Sequence, residues 1–141
     1  MITTIKNEIN RLFLLDKPIC LSSKQRKIFF SISLLWAIVI WLNDHVYRPY
    51  VIENNIDDVH IAYSCPSFFS VIAGVFLGYS VDKKQCFTHW GVVVLIEVAC
   101  LFYEVVMSYT FDIYDVLATL LGVFPAYLIS GLVLKIMKVY D

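Results

Sequence analysis

Residues 28–42 read IFFSISLLWAIVIWL, a run without a charged side chain. Extended through Asn43 to Tyr47, this run reaches the roughly 20 residues that a helix needs to cross the hydrocarbon core of a bilayer. Three further apolar runs follow, so we place four predicted spans at residues 28–47, 61–81, 87–109 and 116–134. The sequence therefore predicts an all-α integral membrane protein, a four-transmembrane-helix bundle.

The composition agrees with a lipid environment. Of the 141 residues, 60% are hydrophobic and 16% are charged, which is unusual for a soluble domain. Four spans with short loops use up this length, so no separate globular domain is expected. The net charge is −1. We exclude nucleic acid as a partner, because binding a phosphate backbone requires a clustered basic surface.

Basic residues alternate between the segments that connect the spans. Six Lys and Arg residues precede the first span, one lies in residues 44–61, two lie between spans two and three, none lies between spans three and four, and two follow span four. Excess positive charge marks the cytoplasmic side. The alternation predicts that both termini are inside and that both acidic loops are outside. The expected location is the cell membrane, and a bacterial inner membrane in particular.

Residues 1–27 form a predicted cytoplasmic N-terminal segment. Within it, residues 2–15 carry apolar side chains at helical spacing opposite a polar, basic face, which favours a helix lying in the inner membrane interface. An ordinary amphipathic helix packed on the bundle is the alternative.

Small residues follow one stripe in span two and another in span four. The stripes are Ser67, Ser70, Gly74 and Gly78, and Thr119, Gly122, Ala126 and Ser130. Such stripes permit close backbone approach in lipid, so we expect spans two and four to pack on each other. A ligand groove between them is the alternative.

Two carboxylates interrupt the third apolar run. Glu97 and Glu104 are seven residues apart, so both are expected on one helical face, pointing into the bundle. Glu97 is expected near the membrane centre, and the alternative for it is a protonated acid bonded to Ser, Thr or Tyr of a neighbouring helix. Glu104 is expected nearer the outer surface and is the better candidate for a functional site. His89 is expected at the cytoplasmic interface.

More polar side chains are predicted at the same outer level. They are Asp112 and Asp115 before span four, with Asp44, His45 and Arg48 at the end of span one. Arg48 is expected to pair with Glu104, Asp112 or Asp115, whereas capping of the fourth helix is the alternative role of either aspartate. No HxxxH or CxxC spacing supports a metal site, and no cofactor is expected.

The stretch 102–122, FYEVVMSYTFDIYDVLATLLG, resembles the signature of the VanZ-like family, which is named for a teicoplanin-resistance protein. Glu104, Asp112, Asp115 and Gly122 match that signature in kind and order. Departures from it are Met107 for a common Gln, Thr119 for a common Asn, and the absence of an Arg often found in the turn. The resemblance implies a small multi-helix envelope protein, some of whose relatives are linked to low-level lipoglycopeptide resistance.

Three functions are compatible with these residues. The leading hypothesis is a non-catalytic VanZ-like protein whose acidic cluster of Glu104, Asp112, Asp115, Asp44, Arg48 and Glu97 binds a membrane lipid, an amphiphilic antibiotic or a membrane partner, with antibiotic tolerance as a predicted phenotype. The second is a membrane-embedded enzyme acting on a lipid-linked substrate, with Glu104 as general base and Asp112, Asp115 and His45 as helpers or metal ligands. The third is an immunity or accessory subunit that acts through helix packing, with a membrane protein or a second copy of the chain as partner.

Overall fold

The computed structural model describes residues 19–58, 60–81, 88–107 and 112–139. Four helices in it are long and apolar enough to cross a membrane: Ser23–Glu53, Ile61–Val81, His89–Val106 and Ile113–Ile136. These are spans one to four. The prediction of a helical protein with four helices long and apolar enough to cross a membrane is confirmed. The predicted amphipathic helix over residues 2–15 lies outside the described residues.

Span one begins earlier than the apolar run suggested. The helix starts at Ser23 instead of residue 28, because Ser22 and Gln25 form a capping box. The Ser22 hydroxyl accepts from the Gln25 backbone N–H at 3.3 Å, and the Gln25 side chain accepts from the Ser22 N–H at 2.8 Å. The basic residues just before the run therefore belong to the first helical turns.

Span one also ends later than predicted. An α-helix over Ser23–Leu42 passes into a π-helical turn over Asn43–Tyr47 and returns to an α-helix over Arg48–Glu53. Pro49 directly follows the π-helical turn, and the helix continues through it to Glu53. Residues 48–53, which lie beyond the predicted end of span one, are therefore helical.

The other spans begin and end close to their predicted bounds. Span two is Ile61–Val81 and contains Pro66. Span three is an α-helix over His89–Phe102, begun by a Thr88 cap, followed by a second π-helical turn over Tyr103–Met107. Span four is Ile113–Ile136 and continues through Pro125. Its start at Ile113, three residues before the predicted 116, follows from an N-cap at Asp112.

Span two is the central helix. On one side it packs against span one, where the Phe29 ring lies 5.4 Å from Phe76 and 5.0 Å from Tyr79. The Ser33 hydroxyl donates to the Ala73 carbonyl at 2.9 Å across the same contact. On its other side span two packs against spans three and four, which also contact each other.

The two small-residue stripes do not face each other. A Cβ added to Gly74 would lie 2.7 Å from Ile96, and one added to Gly78 would lie 3.1 Å from Val92, so the span-two glycines face span three. Gly122 of span four does face span two, because its added Cβ would lie 2.7 Å from the Phe68 carbonyl oxygen. Spans two and four pack closely, as expected, but through a different face of span two.

The two ends of the bundle differ in charge. The acidic end, where span one finishes and spans two and four begin, carries Asp44, Glu53, Asp57, Asp58, Glu104, Asp112 and Asp115. The basic end carries Lys24, Arg26, Lys27, Lys135 and Lys138. At the basic end the Gln25 side chain donates to the Met137 carbonyl at 3.2 Å, so span one meets the end of span four there.

His89, which was predicted at the cytoplasmic interface, is buried among the helices at the basic end. It is 0% exposed, and its Nδ1 is hydrogen-bonded to the Tyr79 hydroxyl. Its Nε2 lies 3.2 Å from the Tyr127 carbonyl oxygen, and Gly131 leaves room for the ring. This side chain joins spans two, three and four.

Candidate functional site

A groove lies between spans one and three and across span two, and Glu104 lines it on the side of the acidic end. Its volume is about 510 Å³. Span one packs on span two but not to a comparable extent on span three, which leaves the groove between them. The side chain of Tyr103 is 60% exposed at its rim. Ten residues line the groove: Ile40, Pro66, Ser67, Ser70, Gly74, Ile96, Ala99, Cys100, Tyr103 and Glu104.

Glu104 is the charged residue of the groove lining. Its Oε1 accepts a hydrogen bond from the Ser67 hydroxyl at 2.8 Å, and the Ser70 hydroxyl donates to the Ser67 carbonyl one turn away at 2.7 Å. Glu104 stands in the π-helical turn Tyr103–Met107, and π-helical turns within α-helices are frequent at functional sites. The polar part of the groove is therefore a carboxylate held by a neighbouring helix.

Asp115 lies beside Glu104 in the first turn of span four. Glu104 and Asp112 repel its charge, while Arg48 attracts it, so three other predicted site residues lie within electrostatic range of Asp115. The Asp115 Oδ1 atom and the hydroxyl of neighbouring Ser64 are both buried, and the Ser64 hydroxyl stabilises the charged form of the Asp115 carboxylate. This part of the site therefore places a carboxylate next to a hydroxyl donor.

Asp112 and Arg48 also have structural partners. The Asp112 Oδ1 accepts from the Tyr114 N–H at 2.8 Å and caps span four, which is the alternative role that the sequence predicted. The Arg48 guanidinium lies over the Tyr63 ring, 4.4 Å from its centroid, and acts on Asp115 at longer range.

Asp44 and His45 are adjacent in sequence, but their side chains lie in different surroundings. Asp44 lies near Cys65, and its Oδ1 is buried without a hydrogen-bond partner among the described residues. His45 is exposed, stacks on the Trp41 ring at 4.8 Å, and has its Nδ1 3.0 Å from the Trp41 carbonyl oxygen. The helper role predicted for His45 therefore has no contact with Glu104 or Asp115 to support it.

Glu97 is separate from the groove lining. It is 8% exposed, and neither of its carboxylate oxygens has a hydrogen-bond partner in the described part of the chain. The expected alternative of a bond to Ser, Thr or Tyr is therefore not seen. Cys100, one turn toward Glu104, lies within electrostatic range of both acids and does line the groove.

The sequence did not single out Ser67, Ser70, Cys100 or Ile40 as site residues. Ser67 and Ser70 were interpreted as packing residues of a small-residue stripe, and their position facing Glu104 depends on which neighbour that stripe meets. Within the described ranges, no three His, Cys, Asp or Glu side chains are grouped so that they could hold a metal ion. None of the known protein-family models, curated proteins or solved structures matches this chain.

Proposed function

We propose that this chain is a non-catalytic, multi-pass protein of the bacterial inner membrane that binds a membrane lipid with an amine headgroup. The observation that carries this proposal is the groove of about 510 Å³, which has an apolar lining and the Glu104 carboxylate at one end. Small-molecule sites in proteins are typically apolar concavities of this size with a few polar groups that fix the ligand's orientation.

The apolar part of the groove suits a hydrocarbon chain. Ile40, Gly74, Ile96 and Ala99 present no charge, and they come from three spans that face the membrane interior. An acyl chain lying here keeps apolar contacts similar to those in lipid, so its entry costs little. The selectivity of binding must then come from the polar end.

The polar end suits a headgroup that donates hydrogen bonds. Glu104 is the charged residue of the lining, and among the described residues it accepts one hydrogen bond, from the Ser67 hydroxyl. Its carboxylate can accept further hydrogen bonds, and a charged donor pairs with it most strongly. An ammonium group supplies N–H donors and a positive charge, whereas a headgroup that is only anionic would be repelled by this carboxylate.

The orientation of the chain decides which leaflet supplies the lipid. The excess of Lys and Arg on the segments at the basic end supports an inside location for both termini. In that orientation the acidic end faces the outside, and the ligand belongs to the outer leaflet.

Membership of the VanZ-like family stays a prediction from Glu104, Asp112, Asp115 and Gly122. It makes tolerance of a lipoglycopeptide the phenotype to measure in cells. An amphiphilic antibiotic with an amine group would compete for the same groove, so it is included in the test below.

The test is equilibrium binding of fluorescent phosphatidylethanolamine and phosphatidylglycerol, with identical acyl chains, to the purified full chain in nanodiscs. We expect tighter binding of phosphatidylethanolamine and loss of that preference in Glu104→Gln. A charge-assisted hydrogen bond contributes about 1.5–3 kcal/mol, so the loss should be about tenfold or more. Glu53→Gln is the matched control, because Glu53 is an exposed acid at the same end outside the groove.

Equal binding of the two lipids, or an equal effect of both substitutions, would contradict the proposal. A lipoglycopeptide is added as a competitor in a second series. If it binds in a Glu104-dependent way while phosphatidylethanolamine does not bind, the antibiotic replaces the lipid as the ligand of the groove.

A further inference from the structure

The lining of the groove has a definite length, and its end at Gly74 and Ile96 is called the closed end below. It follows span two from Pro66 to Gly74 and span three from Glu104 back to Ile96. Each wall covers eight residue steps (66 to 74 and 104 to 96), which is about 12 Å at a rise of 1.5 Å per residue. The carboxylate of Glu104 therefore lies about 12 Å along the helix axis from the closed end.

The closed end is a contact between Gly74 and Ile96. A Cβ added to Gly74 would lie 2.7 Å from Ile96 Cγ2, so the side chain of Ile96 fills the space that Gly74 leaves. One turn further toward the basic end, a Cβ added to Gly78 would lie 3.1 Å from Val92 and 3.6 Å from Ile96. Among the described residues of spans two and three, none beyond Gly74 and Ile96 toward the basic end lines the groove.

We infer that the Gly74–Ile96 contact is a stop that selects the length of the bound acyl chain. The inference rests on the proposed function and narrows its ligand to an amine amphiphile whose chain ends at this contact. One leaflet is about 15 Å deep, half of a core of about 30 Å. A chain of full leaflet depth is longer than the groove, so it must bend out sideways into the lipid.

The test is a competition series with primary alkylamines carrying octyl, decyl, dodecyl, tetradecyl and hexadecyl chains. Each displaces fluorescent phosphatidylethanolamine from the full chain in nanodiscs, with its concentration expressed as a mole fraction in the bilayer to remove the effect of partitioning. We expect the strongest competition at an intermediate chain length. The longest chain should compete several-fold more weakly, because it has to bend.

Two substitutions at the stop should move this optimum in opposite directions. Ile96→Ala opens the closed end and should favour longer chains, whereas Gly74→Ala pushes the Ile96 side chain into the groove and should favour shorter ones. Ile96→Val is a milder version of the first change if the larger one fails to fold. Leu95→Ala is the matched control, because Leu95 is 51% exposed and lies outside the groove.

An optimum that moves with the stop variants and not with Leu95→Ala supports the inference. Two results would overturn the length selection alone. In the first, Glu104→Gln weakens the competition but no chain length competes best. In the second, one chain length competes best but the stop variants do not change it. Absence of competition at every chain length overturns the proposed amine site together with it.

Discussion

At the scale of single residues, Glu97 has the least favourable surroundings. A carboxylate near the middle of a membrane helix costs about 2.5–3.5 kcal/mol on insertion scales. Such side chains normally pair with another polar group, yet both oxygens of Glu97 lack a partner among the described residues, and the side chain is 8% exposed. The bundle therefore tolerates Glu97 at a net loss of stability.

Replacing Glu97 by the apolar Met, which has a similar shape, should stabilise the protein. We expect Glu97→Met to raise the free energy of unfolding by about 1–3 kcal/mol, because it removes a buried polar group without a donor. Unfolding in mixed micelles measures this change. Glu104→Met is the matched control and should give no gain, since it takes the acceptor from the Ser67 hydroxyl. A less stable Glu97→Met variant would mean that Glu97 has a bound partner.

His89 illustrates which residue-scale features the sequence does not contain. A histidine at the start of an apolar run is typical of an interface, and that was its predicted place. Its actual partners, the Tyr79 hydroxyl and the Tyr127 carbonyl, come from two other spans. Hydrophobic periodicity within one helix gives no information on which polar atoms neighbouring helices bring to it.

At the scale of helices, the contact of span four with span two depends on the absence of a side chain at Gly122. An added Cβ would lie 2.7 Å from the Phe68 carbonyl oxygen, which belongs to the backbone and cannot rotate away. Gly131 is less restrictive, because its added Cβ would lie 3.2 Å from the His89 ring. Gly122 and Gly131 of span four therefore form a matched pair of positions for substitution by Ala.

We expect Gly122→Ala to lower the free energy of unfolding by about 1–3 kcal/mol, the usual cost of overpacking, and Gly131→Ala to lower it by less. The same micelle titration measures both. Equal losses in the two variants would show that Ala at either position disturbs span four itself and not its contact with span two.

The existence of the four helices was predictable from the sequence. Their ends, and which neighbour each helix face contacts, were only partly predictable. The apolar runs identified all four spans, because only a helix satisfies its own backbone in lipid. The continuation of span one through Pro49 was missed, since polarity was taken to end the helix at Tyr47. The small-residue stripe of span two indicated a close contact, but a stripe defines a face and not the helix that meets it.

At the scale of the whole molecule, the alternating basic residues predict an orientation that can be measured directly. In a background without the native cysteines, Asn54→Cys at the acidic end should react with a membrane-impermeant maleimide added to intact cells. Ser23→Cys at the basic end should react only after permeabilisation, because excess positive charge is retained in the cytoplasm. Both positions are exposed and neither substitution removes a basic residue. The reverse labelling pattern would contradict the proposed location of the groove.

The central position of span two has a consequence for biogenesis. Spans one and two are consecutive, and the contacts of span one with other spans described above are made with span two, apart from the Gln25–Met137 hydrogen bond and the attraction between Arg48 and Asp115. A ribosome-bound chain that has inserted only its first two helices therefore already holds nearly all of the partners of span one. Spans three and four then dock onto the free side of this hairpin, and the groove comes into existence only when span three arrives.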